Sequence, residues 1–419
     1  MGMGGTQRAT KFAKYLGRYE WEPIVITVKD VHYYAHDESL LDEIRHVRIE
    51  RTESLDPLRL LQRFRSNRSG SESRTDNKNG GSSKPLLNKL NDLIGGWLFM
   101  PDNKLLWLPF AVSKAVRIIV KERVKVVFTT SPPQSVHLAG FFLTLFTRVK
   151  WIADFRDAWT DGESQSNPTR FHRFINRMME KAVLRRAHRV VGMCEQLTSD
   201  LREKSDSADA KFTTIMNGYD KEDFLPLLKT AMESKFTITH CGSVSKVSSP
   251  VPFLKAVALL LKDHKDIRDN LIIQYIGIDI YGELERAIHE LDLEDFVKPI
   301  IYMPHRKALE KIMASHLLLI TIIKKSREEV ISGKIFEYLG SGKPILLITN
   351  GGYVADLITR LNRGTVVSEN DIIYLKNVIY EYYQKFKQHR YELFSPLTVK
   401  EFDREYLAGQ LADTLNQLI

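Results

Sequence analysis

From position 235 to 369 the chain alternates short apolar runs, rich in β-branched residues, with segments of helical period. The runs are KFTITHCGS, NLIIQYIGI, VKPIIYMP, LLLITII, PILLIT and GTVVSE. Between them lie VPFLKAVALLLKDH, GELERAIHELDL, KALEKIMASH, KIFEYLGSG and YVADLITRLN. Strands apolar along almost their whole length need cover on both faces, and the alternating helices supply it. The pattern predicts an α/β domain with a doubly wound parallel sheet, whose ligands bind beyond the carboxyl ends of the strands.

The first half alternates too. EPIVITV, VKVVFTTS, VKWIADF and HRVVGM are strand candidates, with RATKFAKYL, FAVSKAVRIIVKE, SVHLAGFFLTLFT and NRMMEKAVLRRA as helices between them. Two doubly wound domains in tandem are expected, residues 1–217 and 218–400, with a last helix over 401–419. Such a pair predicts a cleft between facing domains. Residues 66–84, SNRSGSESRTDNKNGGSSK, read as a flexible insertion. The chain opens on MGMGGTQRATKFAKYL, a glycine-rich turn entering a helix, with no apolar strand before it. The first strand of the N-terminal domain is therefore expected to be missing, a matter of roughly 10–20 residues.

Charge divides unevenly. The 419 residues carry 61 basic and 52 acidic side chains, a net of +9. Residues 1–217 hold 35 and 25 of them, a net of +10, against 26 and 27 in 218–419. A basic first half suits an anionic lipid surface, a phosphorylated substrate or nucleic acid, or is a solvated surface. No nucleic-acid recognition motif accompanies it, so nucleic acid is not expected. Cys194 and Cys241 are the two cysteines, too few for a disulfide scaffold or a cysteine-built metal site. The longest apolar run, Leu138 to Thr147, is about half of what a membrane helix needs. With no leader-like opening, the expected location is the cytoplasm. Leu86 to Phe110, with two tryptophans and many leucines beside basic residues, reads either as an interfacial segment on the inner face of the membrane or as a buried helix pair.

The strongest chemical motif is REEVISGKIFEYLGSGKPILLI, Arg327 to Ile348. Seven residues stand between Glu329 and Glu337, and a helix begins near Ser332 and Gly333. A helix N-terminus presents unpaired N–H groups to a phosphate, and glycine lets a ligand approach the backbone. Lys334 adds a cation; Glu337, acceptor-only and bidentate, suits two ribose hydroxyls. The same pattern also fits an amphipathic helix with solvated acids and a GSGKP stop. Asp154, Arg156 and Asp157 stand at the end of the strand WIADF, where an acid–base–acid cluster binds hydroxyls of an acceptor or makes a salt-bridged loop. His137, one turn into the helix after TSPP, faces either a cleft or the core. The sequence has no H-E-x-x-H, Walker-type or G-x-S-x-G motif.

E-x7-E before a helix ending in GSGKP resembles the family 4 nucleotide-sugar glycosyltransferases of the GT-B fold, of the bacterial surface-polysaccharide type. GGTQRATKFAKYL, TSPPQSVHLAG, ADFRDAW, IMNGYDKEDF, THCGSVSK and YMPHRKALEKIMASHLLLI match in order. The resemblance implies two facing Rossmann-like domains. It also implies a retaining transfer from a nucleoside-diphosphate sugar, UDP- or GDP-linked, to a cell-surface glycan or lipid-linked acceptor, with no metal and no cofactor. By resemblance Glu337 holds the donor ribose, and Glu329 with the backbone through Ser332 and Gly333 faces sugar and diphosphate. Gly242, Ser243 and Lys246 fall in the diphosphate-clamp region, and Gly4 and Gly5 pass the backbone near the donor phosphates. The clamp departs from the pattern, since GSVSKVSSP has one lysine and no arginine. A developing diphosphate charge needs preorganised cations, and Lys246 with Lys334 are the candidates. A GT-B nucleotide-sugar epimerase and a non-catalytic glycosyltransferase-like partner subunit remain the alternatives.

Overall fold

The computed structural model describes residues 4–29, 39–55, 100–160, 169–205, 208–301, 303–323, 333–391 and 393–419. The chain forms two compact units, residues 3–216 with 408–419, and residues 217–407.

In the second unit six strands make one parallel sheet: β7 (Phe236–Cys241), β8 (Leu271–Ile276), β9 (Val297–Ile300), β10 (Leu317–Ile322), β11 (Ile345–Thr349) and β12 (Gly364–Val367). Their order is β12-β11-β10-β7-β8-β9. The winding thus reverses between β7 and β10, the switch point at which such sheets bind ligands. Helices α6 (Val251–Asp263), α7 (Glu283–Glu290), α8 (His305–Ala314), α9 (Lys334–Ser341), α10 (Tyr353–Leu361) and α11 (Ile372–Lys387) connect and cover the strands. The reason is visible in the burial: all five residues of β11 are buried, and so are the first five of β10. Phe236, Ile238, Leu317, Leu319 and Leu346 join Phe253, Val257 and Leu260 of α6 in one core.

The first unit contains β1 (Ile24–Val28) and β2 (Arg48–Thr52) as a parallel pair, and β3 (Val126–Ser131), β4 (Lys150–Phe155), β5 (Arg189–Gly192) and β6 (Phe212–Thr214) as a four-stranded parallel sheet. The two pieces share no ladder among the described residues, yet Ile26 of β1 and Val127 of β3 pack on the same cluster of Ala115, Ile119, Leu143 and Val149. Helix α1 (Gly4–Leu16) contacts both pieces, with Phe12 edge-on to Phe128 and Ala13 against Val25 and Ile49. The longer helices described in the rest of this unit include α2 (Leu108–Glu122), α3 (Ser135–Phe146), α4 (Arg170–Arg186) and α5 (Glu195–Glu203).

Three expectations need restating. β2, RIERT, carries three charges and does not stand out as a strand; its Glu50 and Arg48 pair with Lys114 and Glu122. The 66–84 insertion and most of the tryptophan-rich segment lie outside the described residues. The described end of that segment is built into the first unit, where Trp107 Nε1 donates to Thr52 Oγ1 at 2.7 Å and Leu108 is buried. The final helix, α12 (Arg404–Asn416), is no separate piece, since its residues from Ala408 belong to the first unit. No described helix is long and apolar enough to cross a membrane.

Candidate functional site

The second unit brings its best candidates together at the switch point. β7 ends in Cys241, and Gly242 follows at φ +146°, a conformation open essentially to glycine alone. Gly242 N–H donates to Ile276 O at 2.6 Å, and a Cβ on Gly277, after β8, would stand 2.4 Å from Gly242 O. The two turns therefore meet backbone to backbone. A Cβ on Gly242 would lie 1.4 Å from Lys334 Nζ, so the ammonium from the first turn of α9 rests on the glycine.

One turn further along α9, Glu337 Oε1 accepts from His305 Nε2 at 2.8 Å. The two side chains are 17% and 20% exposed, low enough to strengthen the pair and open enough for a solute to reach it. Burial pushes the Glu337 carboxyl up, but His305, then Arg404 and Lys334, more than offset this and hold it below the ordinary value. It is a carboxylate at neutral pH, and its Oε2 accepts no hydrogen bond from the described residues. Burial pulls the Lys334 ammonium down, against Cys241 and Glu337. Burial, then the Glu337 charge, pushes the Cys241 thiol up to about 12, so it stays protonated and is no nucleophile. The site is thus a glycine-lined turn carrying one amine, with a carboxylate about one helical turn away.

The other residues of this group are placed differently. Gly333 caps α9 without a side-chain cap bond; Glu329 and Ser332 lie outside the described residues. Ser243 O accepts from Ser248 Oγ at 3.0 Å, which folds the turn on itself. Lys246 is exposed with its Nζ 5.4 Å from the Tyr281 ring centre, and Lys334, not Lys246, is the cation on Gly242. His305 escaped the sequence reading as a ligand-facing group, being 32 residues from its partner.

In the first unit, Asp154 is fully buried near the end of β4. Its partner is Arg8 of α1 and not the adjacent Arg156: Arg8 Nε and a terminal nitrogen reach its two oxygens at 3.1 and 2.7 Å, and Thr130 Oγ1 donates to Oδ2 at 2.6 Å. The same guanidinium donates to Ile215 O and Met216 O. An acid so engaged ties α1 to β4 and does not meet an acceptor. Arg156 donates to the carbonyls of Ser131 and Pro132; Asp157 has its carboxyl raised by burial, partly opposed by Arg156. His137 is buried beside Phe155, Trp151 and Trp159, its Nδ1 2.9 Å from Thr129 Oγ1. Burial pulls its pKa down to about 3, so it is neutral, and its Nε2 has no hydrogen-bond partner among the described residues. Gly4 and Gly5, expected in a turn, form the first residues of α1.

Residues 94–218 match the profile of the glycosyl transferase 4-like domain. Across the whole chain the fold resembles a glycosyltransferase from Rickettsia africae ESF-5, at 15% identity over 99% of this chain and 95% of that one, TM-score 0.60. It also resembles HepE of Anabaena, solved with UDP-glucose, at 14% identity over 100% and 96%, TM-score 0.63. A third likeness is sucrose-phosphate synthase from Thermosynechococcus elongatus, at 15% identity over 97% and 92%, TM-score 0.61. The fold is GT-B. No curated protein matches the sequence. In this GT-B chain the Gly242–Lys334–Glu337 group stands in the unit whose strand order is the 3-2-1-4-5-6 winding of dinucleotide-binding sheets.

Proposed function

We propose that this protein is a retaining, metal-independent glycosyltransferase that takes a sugar from a UDP- or GDP-linked donor to a cell-surface glycan or lipid-linked acceptor. The observation that carries the reading is the pairing of Lys334 on the Gly242 turn with a Glu337 carboxylate fixed by His305. Glu337 accepts from the donor ribose hydroxyls through the oxygen that His305 does not occupy. Lys334, anchored against a backbone no side chain obstructs, faces the diphosphate as its charge develops, where a preorganised cation acts most strongly. The leaving diphosphate oxygen takes the proton of the incoming hydroxyl on the face from which it departs, giving retention. The UDP-glucose held by HepE, a protein of the same fold, supports the donor class.

A thermal-shift screen of the full chain against UDP- and GDP-sugars tests the reading, because a ligand bound only by the native state raises its stability by mass action. One donor class should raise the melting temperature in wild type and leave Glu337→Ala unmoved. Equal shifts in both proteins would sink the site assignment.

A further inference from the structure

Helix α4 divides its side chains sharply. His172, Asn176, Glu180, Val183 and Leu184 face inward and are buried. The outward stripe runs Arg170, Arg173, Phe174, Arg177, Met178 and Lys181, at the i, i+3, i+4 spacing of one helical face, with Phe171 at its edge and Arg185 a turn beyond. All of these are exposed, and Phe171, Phe174 and Met178 are 61%, 59% and 58% exposed. The helix has six basic residues and a single acid. That acid, Glu180, is buried against Thr160 and Lys204, so the outward face holds no negative charge at all.

The neighbouring helix extends the surface. α3 and α4 link successive strands of one parallel sheet by crossovers of one hand, so they cover the same face. Arg186 at the end of α4 donates to Thr144 Oγ1 at 2.7 Å and Thr144 O at 2.6 Å, and its guanidinium lies 5.7 Å from the Phe141 ring centre. Around this junction α3 exposes Phe142, Leu145 and Phe146, followed by exposed Arg148 and Lys150.

We propose that the outer face of α3 and α4 binds the surface of an anionic lipid bilayer. Rings and a thioether set one turn apart among arginines match a boundary that is apolar on one side and phosphate-lined on the other. The arginines meet lipid phosphates while Phe171, Phe174 and Met178 enter the acyl boundary. Nucleic acid would satisfy the cations but leave Met178, Leu145 and Phe146 in water. The surface is distinct from the Leu86–Phe110 segment considered above and from the Gly242–Glu337 site, and its argument does not depend on the transferase reading.

The full chain, without nucleotide sugar, is sedimented with vesicles of pure phosphatidylcholine and with vesicles of equal parts phosphatidylcholine and phosphatidylglycerol. Binding is expected to the mixed vesicles alone. Each basic residue near an anionic surface is worth roughly a fivefold change in partition, so Arg173→Glu with Arg177→Glu should lower binding by on the order of 30-fold or more. Phe171→Ser with Phe174→Ser keeps the cations, and its weaker binding should disappear as salt rises. All substituted positions are exposed, and melting temperatures equal to wild type exclude unfolding as the cause. Wild type that stays in the supernatant overturns the proposal. So does a charge-reversed variant that sediments like wild type.

Discussion

Gly242→Ala perturbs the candidate site at one atom. At φ +146° an alanine is strained by about 1–3 kcal/mol. Its Cβ would also stand 1.4 Å from Lys334 Nζ and 1.9 Å from Cε, inside any van der Waals limit. The lysine is flexible and yields before the backbone does, so the amine leaves the turn. A hydrogen bond from a charged donor contributes about 1.5–3 kcal/mol, which predicts a roughly 10- to 150-fold loss of donor affinity. The melting temperature should fall by a few degrees from the backbone strain alone. Calorimetric titration of the best UDP- or GDP-sugar into wild type, Gly242→Ala, Lys334→Ala and the double variant measures both effects. Gly242→Ala and Lys334→Ala remove the same amine, so the double variant should bind no worse than Lys334→Ala. A double variant losing the sum of the single effects would show that the glycine and the lysine act apart. A Gly242→Ala protein with wild-type affinity would refute the reasoning outright.

Three other outcomes follow from buried titratable groups. Arg8→Ala leaves Asp154 buried without its cation, a change that costs about 3–5 kcal/mol; a urea midpoint matching wild type would contradict the pairing. His137 and His240 are held by burial at about 3, against 6.5 when exposed. Both remain neutral in the fold while the unfolded chain takes up protons, so their stability contribution is whole above pH 6.5 and falls as pH drops toward 3. The loss is about 1.4 kcal/mol per pH unit for each histidine. Urea unfolding between pH 7 and 5 should show this slope, and His137→Leu should flatten it by one proton; an unchanged slope counts against a neutral His137. His305→Ala removes the first group that offsets the burial of Glu337. The carboxyl then rises, and donor affinity should fall away at a higher pH than in wild type, with His305→Gln restoring the neutral-pH affinity through its amide donor. A superimposable pH profile for His305→Ala would sink that positioning role.

The second unit was legible because its central strands, β10 and β11 above all, are apolar along almost their whole length and buried on both faces. The first unit was less so. Strand β2 keeps Arg48, Glu50 and Arg51, and two of these are satisfied by Lys114 and Glu122, sixty or more residues away. No local pattern announces partners at that distance. The site divides in the same way. Glu337 and Lys334 could be picked out because they share a helix, whereas His305 reaches Glu337 only through the fold.

Asp154 carries the clearest lesson. Its neighbours in sequence suggested an acid–base–acid cluster that binds acceptor hydroxyls or makes a salt-bridged loop, yet WIADF is a strand whose residues 151–155 are all buried. A carboxylate inside such a run loses its hydration and requires a cation that is buried with it. Arg156, past the strand end, is already spent on two backbone carbonyls. A bidentate guanidinium on a helix covering the sheet meets the need, and Arg8 on the inner face of α1 provides it. The amphipathic stretch RATKFAKYL contained the signal: Arg8 stands one turn before Phe12, on the face that Phe12 turns toward Phe128. A charge on the apolar face of a helix and a charge within an apolar strand are each improbable alone. Together they predict one another, across 146 residues of chain.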